Sequence, residues 1–135
     1  MADYVHVPPS GGGSGADYED IRVTFDGFGL AIDAGTKVYV PYLPACTIVG
    51  WEMVADASGS CVIDIWKLAY ASGVPSVANT ITASAKPTLS SAQKNADTTL
   101  TGWTTSVSAS DILCFNVDSC STCTKVTIVL KVLKS

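Results

Sequence analysis

Charged residues are scarce in this 135-residue chain. Asp, Glu, Lys and Arg make up 15% of the sequence, against roughly 25% in an average soluble protein. The eight basic residues are scattered, and the net charge is −4. Because affinity for nucleic-acid phosphates needs a concentrated positive surface, we expect no nucleic-acid partner.

Long apolar runs are also missing. No stretch approaches the ~20 apolar residues of a membrane-spanning helix. The N-terminus lacks the basic start and apolar core of a signal peptide. The sequence therefore predicts a soluble protein that has no membrane partner and does not follow the signal-peptide export route.

The residues of common catalytic sites are nearly absent. The only histidine, His6, lies near the N-terminus, which disfavours a Ser–His or Cys–His nucleophilic pair inside a folded domain. Asp56, Asp111 and Asp118 fall at predicted turns, where Asp commonly caps its own backbone rather than forming a glycosidase pair. No glycine-rich loop joins a strand to a helix. We expect no enzymatic activity and no cofactor.

Residues 1–19 differ in composition from the rest of the chain. Pro8 and Pro9 lead into a Gly/Ser run at residues 10–15, a composition that behaves as flexible coil. The run is either natural or a cloning linker. We interpret residues 1–19 as a flexible N-terminal arm, which becomes ordered on a partner surface. Residues 20–135 have the size of one domain with one core.

From residue 20 onward, apolar residues recur at every second position, which is typical of strands with one buried face. Residues 47–55 and 61–68 are predicted to form a hairpin around the turn cluster 56–60. Residues 69–98 are predicted to form a long loop with one helical turn after Pro87. Seven or eight strands at hairpin spacing predict an all-β fold, an antiparallel β-sandwich of jelly-roll type. The clearest apolar rows are Ile21, Val23 and Phe25; Leu113, Phe115 and Val117; and Val126, Ile128, Leu130 and Val132.

Four residues in extended segments are candidates for a partner interface: Trp51, Asp64, Trp66 and Trp103. Asp64 is a charge in an otherwise apolar strand, so it is expected to point outward beside Trp66 or to meet a Lys at a subunit boundary. The tryptophans can be interpreted as a sugar-stacking platform, but packing in the core or in an interface is the favoured interpretation.

Cysteines are numerous, five in all. Cys120 and Cys123 have the two-residue spacing of half a zinc site, but no second pair of this kind exists, so we expect no metal. They are instead a candidate disulfide, and the odd count leaves at least one thiol unpaired. Free Cys in a strand serves as a small hydrophobe.

A series of short motifs resembles a small β-rich family found among bacteriophage structural proteins and at the ends of phage tail proteins. The resemblance spans residues 22–134. The family has few cysteines, so this chain departs from it at Cys61, Cys114, Cys120 and Cys123, which hints at extra covalent stabilisation. The motifs are VTFDG at 23–27, ACTIVGW at 45–51, ADASGS at 55–60, IDIWK at 63–67, ASAKPTLSSA at 83–92, LTGWTT at 100–105 and FNVDS at 115–119.

The resemblance implies a virion structural protein, made in the host cytoplasm and carried on the capsid surface. Such domains resemble either capsid decoration (cement) proteins or distal fibre modules. A short chain with its own Met1 and a flexible arm favours decoration, with the major capsid protein as partner and a homotrimer at local symmetry axes. The alternative is a tail-fibre or receptor/carbohydrate-binding module. The arm residues expected to contact the capsid are Tyr4, Val5, His6, Val7, Pro8 and Pro9.

Overall fold

The computed structural model describes the backbone of residues 2–6 and the whole of residues 17–135. All strand pairs within them are antiparallel. The described residues contain no α-helix, so the all-β prediction is confirmed. Their two short 3₁₀ turns are far too short to cross a membrane. The elements are β1 (Ala2–His6), β2 (Tyr18–Asp26), β3 (Lys37–Val40), β4 (Cys46–Ala69), two 3₁₀ turns (Tyr70–Ser72 and Val77–Asn79), β5 (Thr88–Asp97), β6 (Ser106–Val107), β7 (Asp111–Ser121) and β8 (Lys125–Lys134).

Strand β4 belongs to both halves of the sandwich. Its residues 46–55 pair with β8, which continues through β2 to β1. Its residues 60–69 pair with β7, which continues to β3. The two halves enclose one apolar core, in which Phe25, Phe115 and Ile128 are completely buried. The fold is therefore an antiparallel β-sandwich of jelly-roll type, with β4 as its corner.

The predicted hairpin between residues 47–55 and 61–68 is wrong, because both segments lie in the single strand β4. At the corner, Asp56 accepts hydrogen bonds from the backbone N–H groups of Thr124 and Lys125, at 3.0 Å each. Gly59 allows the β7–β8 turn to pass closely, since a Cβ there would lie 2.5 Å from the backbone oxygen of Ser121. The polar run 56–60 thus bends the strand around a neighbouring turn.

The long loop predicted for residues 69–98 contains strand β5, which pairs with β4. The helical turn predicted after Pro87 is also wrong, because those residues are extended. Of the residues in β5, only Leu89 is fully buried. An edge strand made of Ser, Gln, Lys and Asn lacks the apolar alternation on which strand prediction depends.

The predicted N-terminal arm includes a strand of the sheet. Residues Ala2–His6 form β1 and pair with β2, with Val5 opposite Val23 and His6 opposite Arg22. The sheet curls until β1 also contacts β3 at its far edge. Tyr4, Val5 and His6 therefore follow the edge of their own domain. The other arm residues singled out above, Val7, Pro8 and Pro9, lie outside the described residues.

Candidate binding surface

Asp64 is a buried charge held by its own chain. Its side chain is 1% exposed. The hydroxyls of Thr80 and Thr82 donate hydrogen bonds to Oδ1 at 2.6 and 2.7 Å, and the N–H of Ile65 donates to the same oxygen at 2.8 Å. The indole Nε1–H of Trp66 donates to Oδ2 at 3.0 Å. Both carboxylate oxygens are thus satisfied, as a buried charge requires.

Lys86 supplies the positive charge of this network. Its Nζ lies 3.7 Å from Oδ2 of Asp64 and 2.6 Å from Oδ2 of Asp118, and the hydrogen bond to Asp118 raises the pKa of Lys86. Burial acts to raise the pKa of Asp64, but the hydrogen bonds from Thr80, Thr82, Trp66 and Ile65 outweigh it and hold this pKa below its ordinary value. The lysine that Asp64 meets therefore belongs to the same chain. The network pins residues 80–86 onto β4.

The tryptophans are core residues. Trp51, Trp66 and Trp103 are all buried. The Nε1–H of Trp103 donates to the backbone oxygen of Ala85 at 2.9 Å, and Lys37 Nζ lies 5.6 Å from the ring centre of Trp66. With Asp64, these were the candidates for a partner interface. Their own chain covers all four side chains, so the tryptophans pack in the core and their indole rings form no sugar-stacking platform.

All five cysteines are unpaired thiols in this structure, and the pairing of Cys120 with Cys123 stays a prediction. The thiol of Cys120 donates to the backbone oxygen of Cys123 at 3.6 Å, and that of Cys123 donates to the backbone oxygen of Ala57 at 3.5 Å. Within the part of the chain that the structure describes, no group of three His, Cys, Asp or Glu residues is placed to hold a metal ion.

The most exposed aromatic side chains near the end of β4 are Tyr42 and Tyr70, with 88% and 70% of their surfaces exposed. Together with Pro41 and Ser110 they line a groove of about 300 Å³. We call this surface, formed by Pro41, Tyr42, Tyr70 and Ser110, the tyrosine groove. It lies where β3 and β4 end and β7 begins.

Backbone hydrogen bonds fix the loops of the tyrosine groove to one another. The N–H of Ser110 donates to the oxygen of Leu43 at 2.8 Å, and the N–H of Tyr70 donates to the oxygen of Ser110 at 3.2 Å. Tyr42 and Ser110 have φ angles of 63° and 66°. A left-handed backbone is unfavourable for residues other than glycine and persists where the surroundings enforce it. The loop backbones of the groove are therefore held in a defined conformation, with both tyrosine rings exposed.

The tyrosine groove provides contact surface without acid–base groups. None of its lining side chains is a carboxylate, an imidazole or a thiol. Tyrosine rings combine an apolar face with a polar hydroxyl, and they add large contact area at low cost in side-chain entropy. A site of this composition is suited to binding another surface.

Sequence analysis did not find this groove. It left Tyr70 in the long loop predicted for residues 69–98 and identified no exposed surface near it. In the structure β3 ends at Val40, just before Pro41, and the positive φ of Tyr42 turns the chain away from the strand path. Pro41, which has no N–H for the ladder, was the available signal.

The comparisons with known proteins give no family. No family model and no curated protein matches the chain. One similar solved structure, described as "CBM4 structure and function", is 12% identical over 92% of this chain and 84% of its own, with a TM-score of 0.33. The Drosophila melanogaster CENP-C cupin domain is 7% identical over 96% of this chain and 75% of its own, with a TM-score of 0.28. At such scores neither likeness carries an argument about function.

Proposed function

We propose that this protein is a bacteriophage virion structural protein that decorates the capsid surface and acts by binding, without catalysis. The observation that carries the proposal is the tyrosine groove, a pair of exposed rings on loops that backbone hydrogen bonds fix to one another. Exposed aromatic residues held in a fixed geometry are typical anchors of protein interfaces. The phage assignment itself is supported by the sequence motifs over residues 22–134.

The chain that follows Tyr70 carries further exposed apolar side chains. Val74 and Val77 follow Tyr70 along the chain and are about as exposed as it is. Contact with the major capsid protein would cover this apolar surface. In the proposed assembly, three copies meet at a local symmetry axis, and the arm residues from Tyr4 to Pro9 add contacts to neighbouring capsid subunits.

The test compares two ends of the molecule. A Tyr42→Ala/Tyr70→Ala variant is expected to bind capsids stripped of this protein at least 10-fold more weakly than the natural chain, in the range for interface anchors. Phe28→Ala is the matched control, because Phe28 is 65% exposed and lies near the β7–β8 turn, at the opposite end. Co-sedimentation with particles measures binding. Equal binding of the double variant and the control contradicts docking through the groove.

A second candidate is a receptor- or carbohydrate-binding tail module. It is favoured by the two tyrosine rings beside the Ser110 hydroxyl, since exposed rings stack on sugars. Copy number in purified particles separates the two candidates. Hundreds of copies per virion support decoration, whereas a handful of copies, with glycan binding that Tyr42→Ala abolishes, supports the tail module.

A further inference from the structure

Three thiols gather where β4 turns its corner. Cys61 lies on β4, Cys120 lies near the end of β7, and Cys123 follows in the β7–β8 turn. Cys61 and Cys123 are fully buried, whereas Cys120 is partly exposed. Cys46 and Cys114 are located elsewhere, opposite Lys134 and Trp66 respectively.

Cys61 and Cys120 are direct partners in the antiparallel ladder between β4 and β7. Directly opposed residues have Cα atoms about 4.5–5.5 Å apart, which lies within the roughly 4.4–6.8 Å that disulfides span. Burial and, after it, the neighbouring thiol of Cys120 raise the pKa of both Cys61 and Cys123. The thiol of Cys120 donates to the backbone oxygen of Cys123 at 3.6 Å. The sulfur of Cys120 therefore has two neighbours with which it can pair.

We propose that Cys61 and Cys120 form a cross-strand disulfide when the protein meets a small-molecule disulfide such as oxidised glutathione, and that Cys123 remains a thiol. The proposal does not depend on the role assigned to the tyrosine groove. It replaces the pairing of Cys120 with Cys123 that sequence spacing favoured.

Cys120 is expected to pair with Cys61 rather than with Cys123 because the Cys61 disulfide requires less change in the backbone. The N–H of Cys123 donates to the oxygen of Ser121 at 2.9 Å, which closes a tight turn in which Thr122 has a φ of 75°. The sulfur of Cys123 is held by Ala57 and packs against Gly59, where an added Cβ would lie 2.8 Å from it. Joining Cys123 to Cys120 requires this turn to reorganise. Joining Cys61 to Cys120 leaves the strand pairing in place.

The exchange proceeds in two steps. The thiolate of Cys120, the more accessible of the three, attacks one sulfur of oxidised glutathione, forms a mixed disulfide and releases one glutathione thiolate. Cys61 then gives up its proton, which the released glutathione thiolate takes, and its thiolate attacks the Cys120 sulfur and releases the second glutathione as a thiolate. Two protein thiols are oxidised and one glutathione disulfide is reduced to two thiols. Burial raises the pKa of Cys61, so the second step accelerates as the pH rises.

Peptide mapping of the full chain under non-reducing conditions tests the pairing. After incubation with oxidised glutathione at mildly alkaline pH, mass spectrometry is expected to find Cys61 linked to Cys120, with Cys123 unlinked. Closing a loop of about 60 residues should raise the midpoint of thermal unfolding by about 10 °C, reversibly on reduction.

Variants sharpen the result. Cys123→Ser should keep both the bridge and the thermal shift, as should the distant control Cys46→Ser, whereas Cys61→Ser should lose both. Because the mapping of the natural chain needs no variant, the proposal can be tested even if a substituted chain fails to fold. A Cys120–Cys123 bridge in the natural chain, or Cys120 left as a mixed disulfide with Cys61 free, would overturn the assignment.

Discussion

The two ends of β7 differ in their contacts and in how much aromatic surface they expose. At its C-terminal end, the corner of β4 is joined to the β7–β8 turn by the hydrogen bonds of Asp56, and Gly59 allows the backbones to touch. At its N-terminal end, the tyrosine groove leaves two rings exposed and holds Tyr42 and Ser110 in an unfavourable backbone conformation. At the first end, buried contacts between strand and turn hold the backbone, whereas at the second end the loops are joined by backbone hydrogen bonds and their aromatic rings face outward.

The largest loss of stability is expected for Asp64→Ala. This change leaves the hydroxyls of Thr80 and Thr82 and the charge of Lys86 without their buried acceptor. It should lower the free energy of unfolding by about 3–5 kcal/mol. Urea denaturation measures the loss. Asp118→Ala is the control, because it removes the other partner of Lys86 at a more exposed site and should cost about 1 kcal/mol. Similar values for the two variants would mean that the network does not pin residues 80–86.

The corner of β4 is tested next by Gly59→Ala. The added methyl group would overlap the backbone oxygen of Ser121, so strand and turn must separate, at an expected cost of about 3 kcal/mol. Gly29→Ala is the matched control. Nothing lies within 4 Å of a Cβ at Gly29, and only its φ of 86° is unfavourable, so that its cost should be about 1 kcal/mol. Equal melting temperatures for the two variants would contradict close contact at the corner.

Acidification should weaken the fold through three aspartates, one at the corner of β4, one at the end of β5 and one in the buried network. Hydrogen bonds from Thr124 and Lys125 lower the pKa of Asp56, and those from Leu100 and Thr99 lower the pKa of Asp97. For Asp64, hydrogen bonds overcome the opposing effect of burial. A folded-state pKa below the unfolded value of about 3.9 contributes stability above that pH, and this contribution is lost as pH falls through the folded pKa.

Urea midpoints measured between pH 7 and pH 2.5 should therefore decline below about pH 4. Asp64→Asn, which cannot ionise there, should show a shallower decline than the natural chain. Asp33→Asn, a change at an exposed aspartate, serves as the control and should follow the natural curve. If Asp64→Asn retains the full acid sensitivity, Asp64 is not among the groups that cause it.

A strand could be predicted from the sequence only where apolar and polar residues alternate clearly along it. Strands β2, β7 and β8 place their apolar rows on the core as predicted, because Val and Ile at every second position leave one arrangement that buries them. Strand β5 was missed because its residues are polar, and pairing with β4 rather than burial makes it a strand. Local patterns do not contain that long-range information.

The site was harder to predict than the fold. Asp64 was recognised as anomalous, but its partners Thr80 and Thr82 lie in a segment without periodicity. The corner at residues 56–60 has the composition of a turn, and only the distant Thr124 and Lys125 make it a bend. In both cases the deciding contacts are far apart in sequence, so composition alone suggested a plausible but incorrect local structure.

The smallest change in the free energy of unfolding is expected for substitutions of Tyr42, whose side chain is highly exposed. Its side chain is 88% exposed, so Tyr42→Ala should change the free energy of unfolding by no more than about 0.5 kcal/mol. Tyr42→Gly removes the same ring but also relieves the φ of 63°. Glycine adopts this conformation freely, although it also gains entropy in the unfolded chain. The glycine variant should therefore be more stable than the alanine variant by about 0.5–1 kcal/mol. Urea denaturation of the two side by side isolates the backbone strain, since neither has the ring. Equal stability of the two would show that the backbone of Tyr42 is held in its left-handed conformation at no cost.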